Sequence, residues 1–593
     1  MISNLKVNFY YFRFFYRYLK LKIILISIVS LMVGLLDGIG LAMFIPLIQL
    51  AFGIDSNNKY QDRISNFILE NFHLEIDLLS VFLVIVILFS IKAIFKFLES
   101  FLRVHYQQIF MRKVRFENID LLSEFDYQKF VVTEAGKIQN NLSSEVNRLS
   151  IAFRLYFKTI QISILVIVYL GLAVFTDWRF TILVVLGGVI MNFVFLIFYK
   201  RTKYFSKKFS SESNVFQGLL MQKINNFQYL KATGLNRSFG KQLKSKIFDI
   251  EAFQKKLGIV EASLGALREP FAIAIVSISI LIYSKFIADD IASIILSLLL
   301  LYRCLTYFLA MQEQWNLFLG VSGSLNAVND FNSMLIKNKD SSGENKFKGL
   351  KNSLNLRNVD FGYHNGNPVL KNINLSISKN EILAIVGESG SGKTTLMNII
   401  AGILKPSQGE YLVDNYNFGG IEAESFKRRL GYIVQNPVIF NDTIFNNISC
   451  WLPKTSENLD KFWKAAKKAS IYNYIQSLPD KENTLLGYNG INISGGQKQR
   501  FSIARELFKD SEILFMDEAT SNLDSETEFE IHNNIKNLKG EYTIVLIAHR
   551  LATVKSADRI VVLNNGHIED IGTYNYLIEN CSEFKRMVNL QML

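Results

Sequence analysis

The sequence predicts a two-part membrane protein: an all-α domain of six membrane-crossing helices, followed by an α/β domain built around a phosphate-binding loop. Three observations predict it. Nearly all long apolar runs lie before about residue 335 of the 593-residue chain. The remainder has the mixed polarity of a soluble α/β domain. Within that remainder, Gly387-Glu388-Ser389-Gly390-Ser391-Gly392-Lys393-Thr394 forms a complete G-x-x-x-x-G-K-[ST] string, after the apolar run Ile382–Val386 and before an apolar helix starting near Leu396.

Composition supports the membrane half. Half of the residues are hydrophobic, 13% are aromatic, and the mean hydropathy is positive. The net charge of +13 raises nucleic acid as a partner. The basic clusters, however, sit beside apolar segments, as in Arg112-Lys113-Arg115 and Lys200-Arg201-Lys203. That placement fits anionic lipid headgroups rather than a nucleic-acid face. Cys304, Cys450 and Cys581 have no paired spacing, which argues against a disulfide framework or a zinc site. The first apolar run is too long for a signal-peptide core and reads as a retained helix.

Residues 1–20 mix aromatics with arginines, from Phe9 to Tyr18, and read as an interfacial elbow helix. The membrane domain is expected over 21–335, with spans near 21–50, 79–103, 156–176, 178–199, 259–286 and 289–311, each about 20 residues or longer. The connection from Asp55 to Asp77 is acidic, and those at Thr176-Asp177-Trp178 and Asp289-Asp290 are short. The stretches 104–155 and 200–258 are long, basic and helix-patterned. The long basic stretches and both termini are therefore expected in the cytoplasm. A polar linker at 336–352 leads into the α/β domain, 353–593.

That domain carries an ordered set of motifs. In the phosphate loop, glycines let backbone N–H groups face phosphates, Lys393 reaches the terminal ones, and Thr394 suits Mg²⁺, with Thr395 following. Tyr363, in Val359-Asp360-Phe361-Gly362-Tyr363, offers an aromatic face. Gln435 follows Tyr432-Ile433-Val434. Glu512-Ile513-Leu514-Phe515-Met516 is an apolar strand that delivers Asp517 and Glu518 at its end. Ile544–Ala548 delivers His549 in the same way, and Ile493 precedes Ser494-Gly495-Gly496-Gln497.

This set, in this order, resembles the nucleotide-binding domain of ABC transporters, and six spans with two long helical extensions resemble the exporter-type membrane domain. The resemblance implies ATP as substrate and Mg²⁺ as cofactor. It makes Tyr363 the adenine-stacking residue, Gln435 a contact to Mg²⁺ and the attacking water, and Asp517 a Mg²⁺ ligand. Glu518 becomes the general base, His549 the γ-phosphate switch, and Asp524 part of the loop Ser521-Asn522-Leu523-Asp524. It also implies that the Ser494–Gln497 loop completes the ATP site of a second subunit, so a homodimer with two competent sites is expected. Coupling helices are implied around 126–136 and 225–234. Tyr488, in Gly487-Tyr488-Asn489-Gly490, stands where many exporters carry an acid.

Charged residues inside the spans suggest the cargo. Lys92, Lys96, Glu99 and Arg103 share one helix face, Arg303 lies on the sixth span, and Arg154 and Lys158 on the third. Snorkelling and internal ion pairs would explain them; so would a cationic stripe that meets an anionic headgroup. Asp37, nine residues before Pro46, resembles the acid and proline in the first helix of lipid-linked oligosaccharide flippases. The preferred expectation is a bacterial inner-membrane exporter or flippase of an amphipathic, anionic substrate, such as a lipid-linked saccharide or lipopolysaccharide precursor. Hydrophobic drugs or peptides are the second reading. An ATP-gated regulator or channel is the third, disfavoured by the presence of both Glu518 and His549.

Overall fold

The computed structural model describes residues 2–44, 47, 78–176, 178–286, 291–340, 343–363, 368–517, 533, 538–548 and 551–591. Pro46, the acidic connection 55–77, Asp177, Asp289, Asp290 and Ser341-Ser342 lie outside the described residues, as do Glu518, the 521–524 loop and His549. The chain divides into two compact units. One comprises Met1–Phe125 with Val131–Lys339; the other comprises Asp126–Phe130 with Asp340–Leu593.

The first unit is helical. After α1 (Ile2–Leu19) come α2 (Lys22–Ala42), α3 (Leu78–Ser123), α4 (Val146–Thr176), α5 (Trp178–Asn225), α6 (Asn236–Phe286), α7 (Ile291–Val321) and α8 (Gly323–Lys337). Among the described residues, five helical stretches are long and apolar enough to cross a membrane: Lys22–Leu41, Val81–Ser123, Ala135–Val174, Trp178–Asn225 and Asn236–Tyr283. The sixth expected span falls on α7. At 1.5 Å per residue, α3, α5 and α6 are each about 70 Å long, more than twice the roughly 30 Å hydrocarbon thickness. Pro270 is accommodated inside α6. The short helices Tyr127–Val132 and Phe227–Ala232 lie in the segments expected to couple the two halves.

Aromatic packing holds this unit. In α1, Tyr11, Phe15, Tyr18 and Leu19 recur with helical spacing and are buried, while Arg13, Tyr16 and Arg17 are exposed. Phe15 meets Phe110 at 5.4 Å and Phe153 at 5.6 Å between ring centroids. These inward-facing rings are core residues of the unit. One face of the helix pays its hydrophobic dues to α3 and α4. At the crossing of the Ala135–Asn140 helix with α5, a Cβ on Gly136 would stand 2.1 Å from the Gly218 Cα, so this close approach requires glycine.

The second unit contains two sheets. Its strands are β1 (Ser353–Phe361), β2 (Leu370–Ser378), β3 (Ile382–Val386), β4 (Gln408–Val413), β5 (Tyr416–Asn417), β6 (Leu430–Ile433), β7 (Ile513–Asp517), β8 (Thr543–Ile547), β9 (Arg559–Asn564) and β10 (His567–Gly572). The larger sheet runs β10-β9-β3-β8-β7-β6 and is parallel apart from the β9–β10 pair. β3 and β8 are buried along their whole length, which is why both read as unbroken apolar runs. The smaller sheet, β2-β1-β4-β5, is antiparallel.

Candidate functional site: a phosphate loop and a signature loop

The parallel strands bring the motifs to one edge. Ile385 of β3 pairs with Ile547 of β8, and Ile547 pairs with Asp517 of β7. The phosphate loop leaves the end of β3, and Asp517 ends β7 two strands away, about 10 Å laterally at ordinary strand spacing. Gln435 follows β6, the next strand along. The carboxyl edge of a parallel sheet is where such folds bind ligands.

The phosphate loop is shaped by glycine. Gly387 has φ +156°, and a Cβ there would lie 2.2 Å from the Leu563 carbonyl oxygen. Gly392 has φ +104°, and its Cβ would press Leu370 at 2.8 Å. α9 (Lys393–Ile400) begins immediately after Gly392, so its free N–H groups open toward the loop. Lys393 is buried, and its ammonium donates to the carbonyls of Gly387 at 2.8 Å and Glu388 at 2.9 Å. The buried Ser391 hydroxyl has no hydrogen-bond partner among the described residues. Such a cradle, with an orphaned hydroxyl and an inward cation, fits a polyphosphate. Thr394 is exposed and Asp517 half-buried; a hydroxyl with a carboxylate is a hard-oxygen donor set that suits Mg²⁺.

Tyr363 is partly engaged already. Its hydroxyl lies 3.1 Å from that of Thr395, and its ring meets Phe361 edge-on at 5.0 Å. Glu388 is paired with Arg586 of α11 (Ser582–Gln591), which also holds Glu583 at 2.7 Å. This clamp on the loop joins residues 198 positions apart, and no sequence motif announces it.

The Ser494 loop opens α10 (Gly495–Phe508). Ser494 Oγ accepts from the Gln497 N–H at 3.3 Å, while Gln497 Oε1 accepts from the Ser494 N–H at 2.9 Å. This reciprocal capping box gives the first and last residues of the motif a local duty as well. Farther along α10, Arg505 donates to the Asn447 carbonyl at 2.6 Å and the Val438 carbonyl at 2.8 Å. Burial lowers its pKa, and neighbouring Cys450 and Glu506 oppose that shift. Tyr488 stands exposed in a short turn before α10.

In the helical unit, the charged residues meet each other. Asp37 is 6% exposed; it pairs with Lys92 and accepts from the hydroxyls of Tyr169 and Tyr307, both at 3.1 Å. Glu99 is 1% exposed and accepts from Ser30 at 2.7 Å, Lys96 at 3.0 Å and Gln161 at 2.9 Å. Arg103 donates to Gln161 at 2.8 Å, the amide that itself donates to Glu99. Arg303 is exposed and joins neither carboxylate. Two acids are thus satisfied by four helices, which is what buried charge requires.

Comparison with known proteins agrees with this geometry. The ABC transporter family profile matches residues 370–521. The heterocyst differentiation ATP-binding protein HepA of Nostoc is 30% identical over 459 residues, 76% of this chain and 74% of that one. The ATP-dependent lipid A-core flippase of Psychrobacter arcticus is 29% identical over 519 residues, 85% of each chain. The solved structure of a bacterial Atm1-family ABC exporter with ATP bound superposes with a TM-score of 0.79 at 21% identity, covering 96% of this chain and 98% of that one. A helical membrane unit and an α/β nucleotide-binding unit joined in one polypeptide make this chain an exporter-type half-transporter of the ABC transporter family, in which ATP hydrolysis is coupled to transport.

Proposed function

We propose that two copies of this chain form a homodimer that exports or flips an amphipathic, anionic substrate, such as a lipid-linked saccharide or lipopolysaccharide precursor, across a bacterial inner membrane. Both termini and the nucleotide-binding unit would face the cytoplasm. The observation that carries the reading is similarity to a lipid A-core flippase along 85% of both chains, a stretch too long to lie in the nucleotide-binding unit alone.

In this reading the phosphate loop and Lys393 hold the ATP phosphates, and Tyr363 meets the adenine. Mg²⁺, held by Thr394, Asp517 and Gln435, would neutralise charge on the transferring phosphoryl group. Glu518 polarises the attacking water, Gln435 orients it, and His549 contacts the γ-phosphate. Residues Ser494–Gln497 and Asp524 of the partner copy complete each site. Closing two such units around ATP and reopening them after hydrolysis would alternate the membrane cavity between its faces.

The test is transport by the full chain in proteoliposomes. A labelled lipid-linked saccharide should change leaflet only with ATP, and Glu518→Gln should retain ATP while stopping movement. A protein that hydrolyses ATP yet moves no anionic amphiphile would refute the cargo class.

A further inference from the structure

A cavity of about 550 Å³ opens in the helical unit between α4, α5 and α7, apart from the Asp37 and Glu99 carboxylates. Apolar side chains such as Leu196 and Met311 wall it, Trp315 adds an aromatic face, and Lys200 and Lys203 supply charge. Gln312 also lines it. This amide is 2% exposed, and among the described residues neither its nitrogen nor its oxygen has a hydrogen-bond partner. A buried polar group left unpaired destabilises the fold that keeps it. Snorkelling would explain the lysines, but not a glutamine kept orphaned inside the protein.

The depth of the cavity is set by three helices independently. Tyr156 and Gln312 line it, as does Lys200. They lie about 20 to 22 residues from the Thr176 end of α4, the Ile291 end of α7 and the Trp178 end of α5. At 1.5 Å per residue each interval is about 30 Å, one hydrocarbon thickness. Its lining also includes Ser163 and Asn192, 13 and 14 residues from the same ends of α4 and α5, and Leu319, 28 residues from Ile291, so the cavity straddles the opposite headgroup boundary, on the side into which α5 continues. An apolar chamber with two cations and one unpaired amide suits a headgroup that carries a phosphate or carboxylate and further polar atoms.

We propose that this cavity captures the anionic headgroup of an amphiphile from the cytoplasmic leaflet, with Lys200 and Lys203 pairing its charge and Gln312 hydrogen-bonding its polar atoms. The proposal rests on the export reading above and deepens it, because it names where cargo first docks.

The test titrates the full chain in neutral detergent with dioleoylphosphatidylglycerol, dioleoylphosphatidylcholine or inorganic phosphate, reading bound lipid by native mass spectrometry and folding by thermal unfolding. With about fivefold contributed per lysine, the wild type should prefer the anionic lipid by roughly thirtyfold. K200Q/K203Q should bring the two lipids near parity, while K241Q/K244Q, which removes two exposed lysines elsewhere on α6, should not. Gln312→Met should weaken anionic-lipid binding several-fold yet raise the unfolding temperature of the lipid-free protein, a pair of signs that a purely structural glutamine would not give. A preference that survives K200Q/K203Q, or that falls equally in K241Q/K244Q, overturns the assignment. So does displacement of the anionic lipid by inorganic phosphate at equal affinity, which would mark a soluble-anion site. Each of these results leaves export of an anionic amphiphile standing; that reading fails only in the transport assay.

Discussion

Lys393 and Gly392 show how far a single residue can be read. The lysine ammonium folds back on the loop and donates to the carbonyls of Gly387 and Glu388. Gly392→Ala would force a Cβ into φ +104° and against Leu370, destabilising the nucleotide-binding unit by about 2 kcal/mol and weakening ATP binding. Thermal unfolding with and without ATP measures both. Asp37 offers the contrasting case. Asp37→Ala would strand Lys92 among apolar neighbours and should lower stability by about 3 kcal/mol, whereas D37L/K92L should recover most of it. If Asp37 instead serves cargo, both variants would keep their stability and lose only cargo-stimulated hydrolysis. The phosphate loop was legible because its residues are consecutive. The Asp37 pairing was not, since Lys92, Tyr169 and Tyr307 come from three other helices and only the folded bundle brings them together.

Secondary-structure elements carry duties that motifs conceal. Ser494 and Gln497 cap α10 reciprocally, so losing ATP hydrolysis on substituting Ser494 would not by itself prove contact with nucleotide. Ser494→Ala should cost about 1 kcal/mol of stability through the lost cap, while Ser494→Asp, an equally good cap, should leave the unfolding temperature in place. Both should cut hydrolysis by at least roughly 100-fold if the hydroxyl meets the γ-phosphate. An Asp variant with full activity would reduce the serine to a cap. The Arg586–Glu388 clamp is half-exposed at both ends, so Arg586→Ala should change the KM for ATP by no more than a few-fold. Among the elements, β3 and β8 were legible as unbroken apolar runs. The antiparallel sheet has a fainter mark in the sequence: β2 alternates Ile373, Leu375 and Ile377 with polar residues, the period of a strand with one face buried. In α1, the aromatics lie on both faces, and composition alone could not say which rings turn inward.

At the scale of the whole molecule, the chain holds one nucleotide-binding unit and one membrane unit, and half-transporters of this family generally function as dimers. That organisation was legible from the confinement of apolar runs to the first half, because membrane and water impose different compositions on the two units. The number of copies was legible only through the family resemblance, because neither composition nor hydropathy records a surface shared between chains. Mixing experiments reach it directly. Wild-type and Glu518→Gln chains carrying different tags, co-expressed in equal amounts, should assemble as roughly one quarter wild-type pairs, one half mixed pairs and one quarter variant pairs if assembly is random. Should hydrolysis require both sites in concert, total activity would fall to about a quarter of the all-wild-type value, and mixed pairs isolated through both tags would be inactive. Independent sites in a dimer would instead leave about half, with mixed pairs at half the wild-type rate. Recovery of no doubly tagged species, with activity also at about half, would mean that each chain hydrolyses ATP alone, and the shared-site dimer would have to be abandoned.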